Sequence, residues 1–253
     1  MKLDRVIAVR NSKTVFRDGE KCIKVFNHEY KKSEILHEAM NHAIAEEAGL
    51  PVPKIFEVSV IDHKWAIIYT YIRGNTLSHH MKSEPEKKDA YLETFTALQT
   101  AIHSISAPNL GSVKEQFTTV LERAPIREDL RAALIAGLSS LREKSTICHG
   151  DFDPSNIIMS EDGCTYILDW SRAACGDAAV DAAGTYLQFL LREETETAEQ
   201  YLSLYCEKSG IRKEEILAWV PTAAAVRIER SNELIREKLF TLLASCDAAT
   251  DTL

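Results

Sequence analysis

The character of the chain changes around "YTYIRGNTL" (Tyr69–Leu77), from mostly strand-like segments to mostly helical ones. That change dictates a small β-rich part followed by a larger helical one. Upstream, "RVIAV" (Arg5–Val9), "KTVFR" (Lys13–Arg17) and "KCIKVF" (Lys21–Phe26) are short, rich in β-branched and aromatic residues, and bounded by polar turns. Asp18-Gly19 is a hairpin signal between the last two. "KIFEVSV" (Lys54–Val60) and "KWAIIYTYI" (Lys64–Ile72) read as two further strands, the second apolar enough to be buried. Before them Leu36, Ala39, Met40, Ala43 and Ile44 recur at helical spacing, with Ser33 as N-cap and Gly49 as the stop. Downstream the helical period dominates, interrupted by short strands between Thr146 and Trp170. The expectation is an α+β, two-lobed chain. A small antiparallel sheet plus one helix occupies residues 1–72, a hinge lies at about 70–74, and a mainly helical lobe covers 75–253.

Composition narrows the partners. The chain has 253 residues and a formal net charge of −8, which argues against nucleic acid or an anionic membrane as partner, since both reward basic patches. Its acidity tilts the expectation toward a cationic ligand. Six cysteines (Cys22, Cys148, Cys164, Cys175, Cys206 and Cys246) follow no zinc or disulfide spacing. No apolar run has the length of a signal core or a membrane span. A reducing cytoplasm is the expected setting, with the oligomeric state left open.

The stretch "CHGDFDPSNIIM" (Cys148–Met159) concentrates residues that can do chemistry, and "CTYILDW" (Cys164–Trp170) follows it. Asp151 on a tight loop can accept the proton of an attacking hydroxyl. Asn156 can offer its amide oxygen to a divalent cation, and Asp169, at the end of an apolar strand, can supply a carboxylate to the same ion. Mg²⁺ accepts few protein oxygens when phosphate and water complete its shell. The plainer alternative is that His149 and Asn156 serve a turn and Asp169 caps it, because turns select such residues for backbone reasons.

As a set, these residues resemble the aminoglycoside phosphotransferase and choline kinase-like enzymes, small-molecule kinases with a protein kinase-like fold. "HGDFDPSN" looks like their catalytic loop, "ILDW" like their metal-binding strand end, and "CGDAAVDAA" like their "GDPxxDLA", with Ala178 in place of Pro. The resemblance implies a catalytic Asp151 and Mg²⁺ on Asn156 and Asp169. It further implies that His149 and Asp181 support the catalytic loop. Lys24 would pair the phosphates of ATP, or of GTP, steered by Glu38, with Glu34 one turn earlier as a rival. Cys22 would touch the base, and the backbone of Thr70, Tyr71 and Ile72 would hold it. There is no glycine-rich phosphate loop; "RNSKT" (Arg10–Thr14) lacks glycine, so backbone amides there, helped by the Ser12 hydroxyl or Lys13, would contact phosphate instead.

The implied activity is transfer of the γ-phosphoryl group to a hydroxyl of a small molecule. The acceptor could be an aminoglycoside or other amino-bearing metabolite, choline or ethanolamine, homoserine, or a sugar. Glu193, Glu194, Glu196 and Glu199 are candidates for attracting a polyamine, though an exposed acidic helix start explains them as well. A protein kinase is the alternative of another class, opposed by "HGD" and by the absence of "APE" after Asp169. A non-catalytic nucleotide-binding module is opposed by the presence of Asp151, Asn156 and Asp169 together.

Overall fold

The structure is a computed structural model that describes residues 5–10, 13–141 and 144–250. The chain forms two compact units, Met1–Tyr91 with Pro154–Ala173, and Leu92–Asp153 with Ala174–Leu253.

The first unit is built on an antiparallel sheet. Its strands are β1 (Arg5–Arg10), β2 (Lys13–Asp18), β3 (Lys21–Phe26), β4 (Ile55–Ile61) and β5 (Lys64–Thr70), in the order β1-β2-β3-β5-β4. Side chains alternate along β3. Ile23 and Val25 pack with Ala66 and Ile68 on one face, while Phe26 joins Ile35, Ala39, Ile67 and Tyr69 on the other. Helix α1 (Lys32–Glu47) covers that second face, and Lys24, two residues before Phe26, shares it.

Helix α1 begins two residues earlier than a Ser33 cap requires. Its N-cap is Lys31, whose backbone N–H donates to the Glu34 carboxylate at 2.8 Å. Its buried face is Ile35, Glu38, Ala39, Asn41, His42 and Ala45. Leu36 and Met40, expected inside, are 42% and 49% exposed. The polar residues win because each finds a partner. The Asn41 amide donates to the carbonyls of Trp170 and Ala173, and the His42 ring donates to the Pro53 carbonyl at 2.6 Å.

The chain then leaves the sheet through β6 (Gly74–Thr76) and α2 (Leu77–Ser83), and enters the second unit along α3 (Lys88–His103). There α4 (Val113–Leu121), α5 (Glu128–Ser140) and the short β7 (Thr146–Cys148) precede the catalytic-loop sequence. The next strands, β8 (Ile157–Ser160) and β9 (Thr165–Ile167), return to the first unit, where they form the small sheet β6-β8-β9. Gly74 pairs with Ser160 and Thr76 with Ile158, and the Ile167 N–H donates to the Pro51 carbonyl at 2.8 Å. Compactness therefore assigns residues 75–91 and 154–173 to the first unit, although the sequence placed them in the helical lobe. The chain ends in the second unit with β10 (Ala174–Gly176), paired to β7, and helices α6 (Ala178–Leu191), α7 (Thr195–Ser209), α8 (Lys213–Leu217), α9 (Val220–Ile228) and α10 (Glu233–Thr250).

Candidate functional site

Within the first unit a cavity of about 440 Å³ is lined by Cys22, Lys24, Asn156 and Asp169, and by Thr70, Tyr71 and Ile72. Its volume is that of a small-ligand site. Lys24 is buried and is held by two carboxylates. It donates to Glu38 in a short contact and to Asp169 at 3.2 Å. Burial alone would weaken its charge, but Asp169 and Glu38 outweigh burial and hold the ammonium above the usual lysine range. Of the two candidate acids on α1, Glu38 meets Lys24, while Glu34 caps the helix.

Asp169 is the second anchor. Its backbone lies in the left-handed region at φ +63°, which costs a non-glycine residue about 1 kcal/mol and concentrates at functional sites. Its carboxylate accepts from Lys13 at 2.8 Å, from Lys24 at 3.2 Å and from the Ser171 hydroxyl at 3.0 Å. Burial opposes its charge, yet Lys24 and Lys13 hold the carboxyl far below the usual range. The Lys13 pair escaped sequence reasoning, because nothing in the local pattern joins residues 156 positions apart. Ser12 lies outside the described residues.

The donor set limits what metal fits here. Among the described residues no cluster of three or more His, Cys, Asp or Glu can hold an ion. One carboxylate and one amide oxygen suit Mg²⁺ only when phosphate and water complete the shell, so the residues present fit a nucleotide-bound magnesium and not a resident metal.

Around the base-contact segment, part of the backbone is already engaged. Thr70 N–H donates to the Lys54 carbonyl and Tyr71 N–H to the Glu20 carbonyl. That leaves the Ile72 N–H as the donor without a partner among the described residues. Burial pushes the Cys22 thiol up to about 11, against the pull of Lys24, so it lines the cavity as an inert apolar group.

The second unit carries the catalytic-loop sequence. Asp181, at the first turn of α6, accepts from the backbone N–H of His149 at 3.1 Å and of Gly150 at 2.8 Å. The His103 ring lies on the same carboxylate at 2.9 Å and also meets the Tyr205 hydroxyl at 2.6 Å. Burial would raise the Asp181 carboxyl, but His103 and these N–H groups hold it below the usual range. His149 is buried, and its Nδ1 accepts the Asp151 N–H at 3.3 Å. The loop is thus fixed from beneath while the Asp151 side chain stays 25% exposed. Asp177 caps α6 by accepting from the Ala179 N–H, and Trp219 packs against the core of Val113, Cys148, Ala174 and Val180. His103 had no sequence signal, since a lone histidine on a helix carries no motif.

Residues 5–217 match the model of the phosphotransferase enzyme family. The chain belongs to that family. It is 23% identical over 185 residues to an aminoglycoside 3'-phosphotransferase of Streptomyces fradiae, an alignment covering 65% of this chain and 68% of that protein. Its fold is that of the choline kinase LicA of Streptococcus pneumoniae, with a TM-score of 0.68 at 16% identity over 98% of this chain and 94% of that one. It also matches an aminoglycoside phosphotransferase, APH(4)-Ia, solved as a ternary complex with AMP-PNP and hygromycin B. There the TM-score is 0.65 at 15% identity, over 96% and 91% of the two chains. The kinase-like, α+β fold expected for a family member is therefore present. No helix among the described residues is long and apolar enough to cross a membrane.

Proposed function

We propose that this family member is an ATP-dependent phosphotransferase that moves the γ-phosphoryl group to a hydroxyl of a small molecule. One observation carries the reading. A buried lysine is fixed between two carboxylates on the wall of a ligand-sized cavity, an arrangement that adds little to stability and presents a fixed cation to an anionic ligand. Lys24, oriented by Glu38, meets phosphate oxygens. Asn156 and Asp169 would hold Mg²⁺, which when bound offsets charge on the transferring phosphoryl oxygens. Cys22 and the Thr70–Ile72 backbone take the base. Asp151, its loop braced by Asp181 and His149, orients the acceptor hydroxyl and takes its proton. Most of the acceleration comes from positioning and charge stabilisation, since the transition state is loose. Cys22, Cys148, Cys164, Cys175 and Cys206 are free thiols, which supports a reducing cytoplasm as the setting.

The test is nucleoside-diphosphate release from Mg-ATP and Mg-GTP across amino sugars, choline, hydroxy acids and simple sugars, with Asp151→Asn alongside. Acceptor-dependent release that disappears in the variant supports the reading. Release that persists in the variant refutes the role of Asp151.

A further inference from the structure

The carboxylates of the catalytic-loop sequence face arginines from the late helices of the same unit. Asp151 lies 3.7 Å from the Arg227 guanidinium, on α9, and the two side chains are 25% and 29% exposed. Asp153 pairs with Arg192, which follows α6. Three of the four acidic residues that gave a cationic acceptor its appeal are already paired. Glu193 is bound by Lys238, Glu194 by Arg192, and Glu199 by Lys213 and the Tyr186 hydroxyl. The negative charge of the chain as a whole is thus offset beside Asp151 by a guanidinium 3.7 Å away.

We propose that the acceptor carries an acidic group, a carboxylate or a phosphate, which Arg227 binds while Asp151 receives the hydroxyl. The assignment rests on the phosphotransfer reading above and narrows its substrate. A guanidinium takes a carboxylate or phosphate through two parallel hydrogen bonds, which a solvated ammonium cannot copy. An anion seated there draws Arg227 away from Asp151, so filling the subsite releases the carboxylate for the hydroxyl. The 3.7 Å separation also limits the ligand. With ordinary hydrogen-bond lengths at both ends, the acid and the hydroxyl lie about 3–7 Å apart, the span of a short hydroxy acid or a polyol phosphate. A polycationic acceptor would instead meet Arg227 as a like charge.

Matched alcohols test this. Glycerate, glycerol 3-phosphate, glycerol and 3-amino-1,2-propanediol differ in the charge of one substituent. The expected order of kcat/KM places the two anions at least tenfold above glycerol and the amine last, and the balance between the two anions identifies the acid. Arg227→Gln should raise KM for the anions tenfold or more while kcat changes less than threefold. Arg227→Lys, which keeps the charge without the fork, should fall between. An amine preferred to the acids overturns the proposal, as does a Gln variant that lowers kcat equally for every acceptor, which would place Arg227 on the transferring phosphate. Anions that are not turned over by protein that still binds Mg-ATP overturn it as well, and leave the phosphotransfer reading standing. Loss of Mg-ATP binding by the wild-type protein would refute that reading itself and the acceptor assignment with it.

Discussion

Lys13 places its ammonium 2.8 Å from the Asp169 carboxylate. It starts β2, beside a stretch of sequence, Arg10–Thr14, that lacks glycine, and so brings a side-chain cation where no glycine-rich sequence is present. Its charge is already strained, since burial and then Lys24 hold its pKa below the usual lysine range, with Asp169 opposing them. Lys13→Met should weaken ATP binding by about tenfold, the worth of one charge-assisted hydrogen bond. It should also tighten binding of Mn²⁺ without nucleotide, because a competing cation has left the carboxylate. Both are read by titration calorimetry. Unchanged ATP affinity would show that Lys13 does not reach the phosphates.

Asp169 and Asp151 should separate cleanly by assay. Asp169→Ala removes the counter-charge of two lysines and the candidate metal oxygen, so Mg-dependent nucleotide binding should be lost. Asp151→Ala should leave that binding within about threefold and abolish turnover, since its role is confined to the acceptor. Glu38→Gln should raise KM for ATP, whereas Glu34→Gln should cost only about 1 kcal/mol of stability through the helix start. Equal loss of nucleotide affinity in the Asp169 and Asp151 variants would contradict this division of labour.

Much of the fold was legible because local pattern and tertiary placement agree. The strands around Asp18-Gly19 and the buried "AIIY" of β5 stand within a residue or two of where alternation puts them. Helix α1 shows the opposite case. Apolar spacing pointed to Leu36 and Met40, but the face that packs carries Glu38, Asn41 and His42, whose partners Lys24, Trp170, Ala173 and Pro53 are invisible from within the helix. The same limit applies to Lys13 with Asp169 and to Arg227 with Asp151. Such pairs join distant segments through the fold, and net charge averaged over the chain pointed away from the second of them.

Gly74 is a further sequence-visible residue whose reason is physical. It sits at φ +154°, and a Cβ there would lie 2.1 Å from the Met159 carbonyl oxygen and 2.8 Å from the Ser160 Cα. Those neighbours are backbone of the paired strand β8, so they cannot swing aside. Gly74→Ala should therefore cost about 2–4 kcal/mol, combining overpacking with an unfavourable backbone region. Urea unfolding reads the loss. A neutral effect would mean that β6 and β8 separate without cost.

Asp181 gives a pH-dependent test. Its carboxyl is held below the usual range in the folded chain, while in the unfolded chain it titrates near about 3.9. Above that value it is ionised in both states and its stabilisation is complete. As the pH falls further, the unfolded chain binds the proton first, so the stabilisation is lost progressively until the folded value is passed. Asp181→Asn lacks this titration and also disturbs the buried hydrogen bonds on this side chain. It should be about 1–3 kcal/mol less stable at pH 7, the usual consequence of leaving a buried polar group unsatisfied. Urea midpoints at pH 7, 5 and 3 should show the gap to wild type narrowing only at the lowest pH. A gap that is the same at all three would mean that the carboxylate does not titrate from a lowered value. Turnover should fall even under conditions where the variant stays folded, since only one amide oxygen remains and one of the His149 and Gly150 N–H groups loses the acceptor that fixes the loop of Asp151.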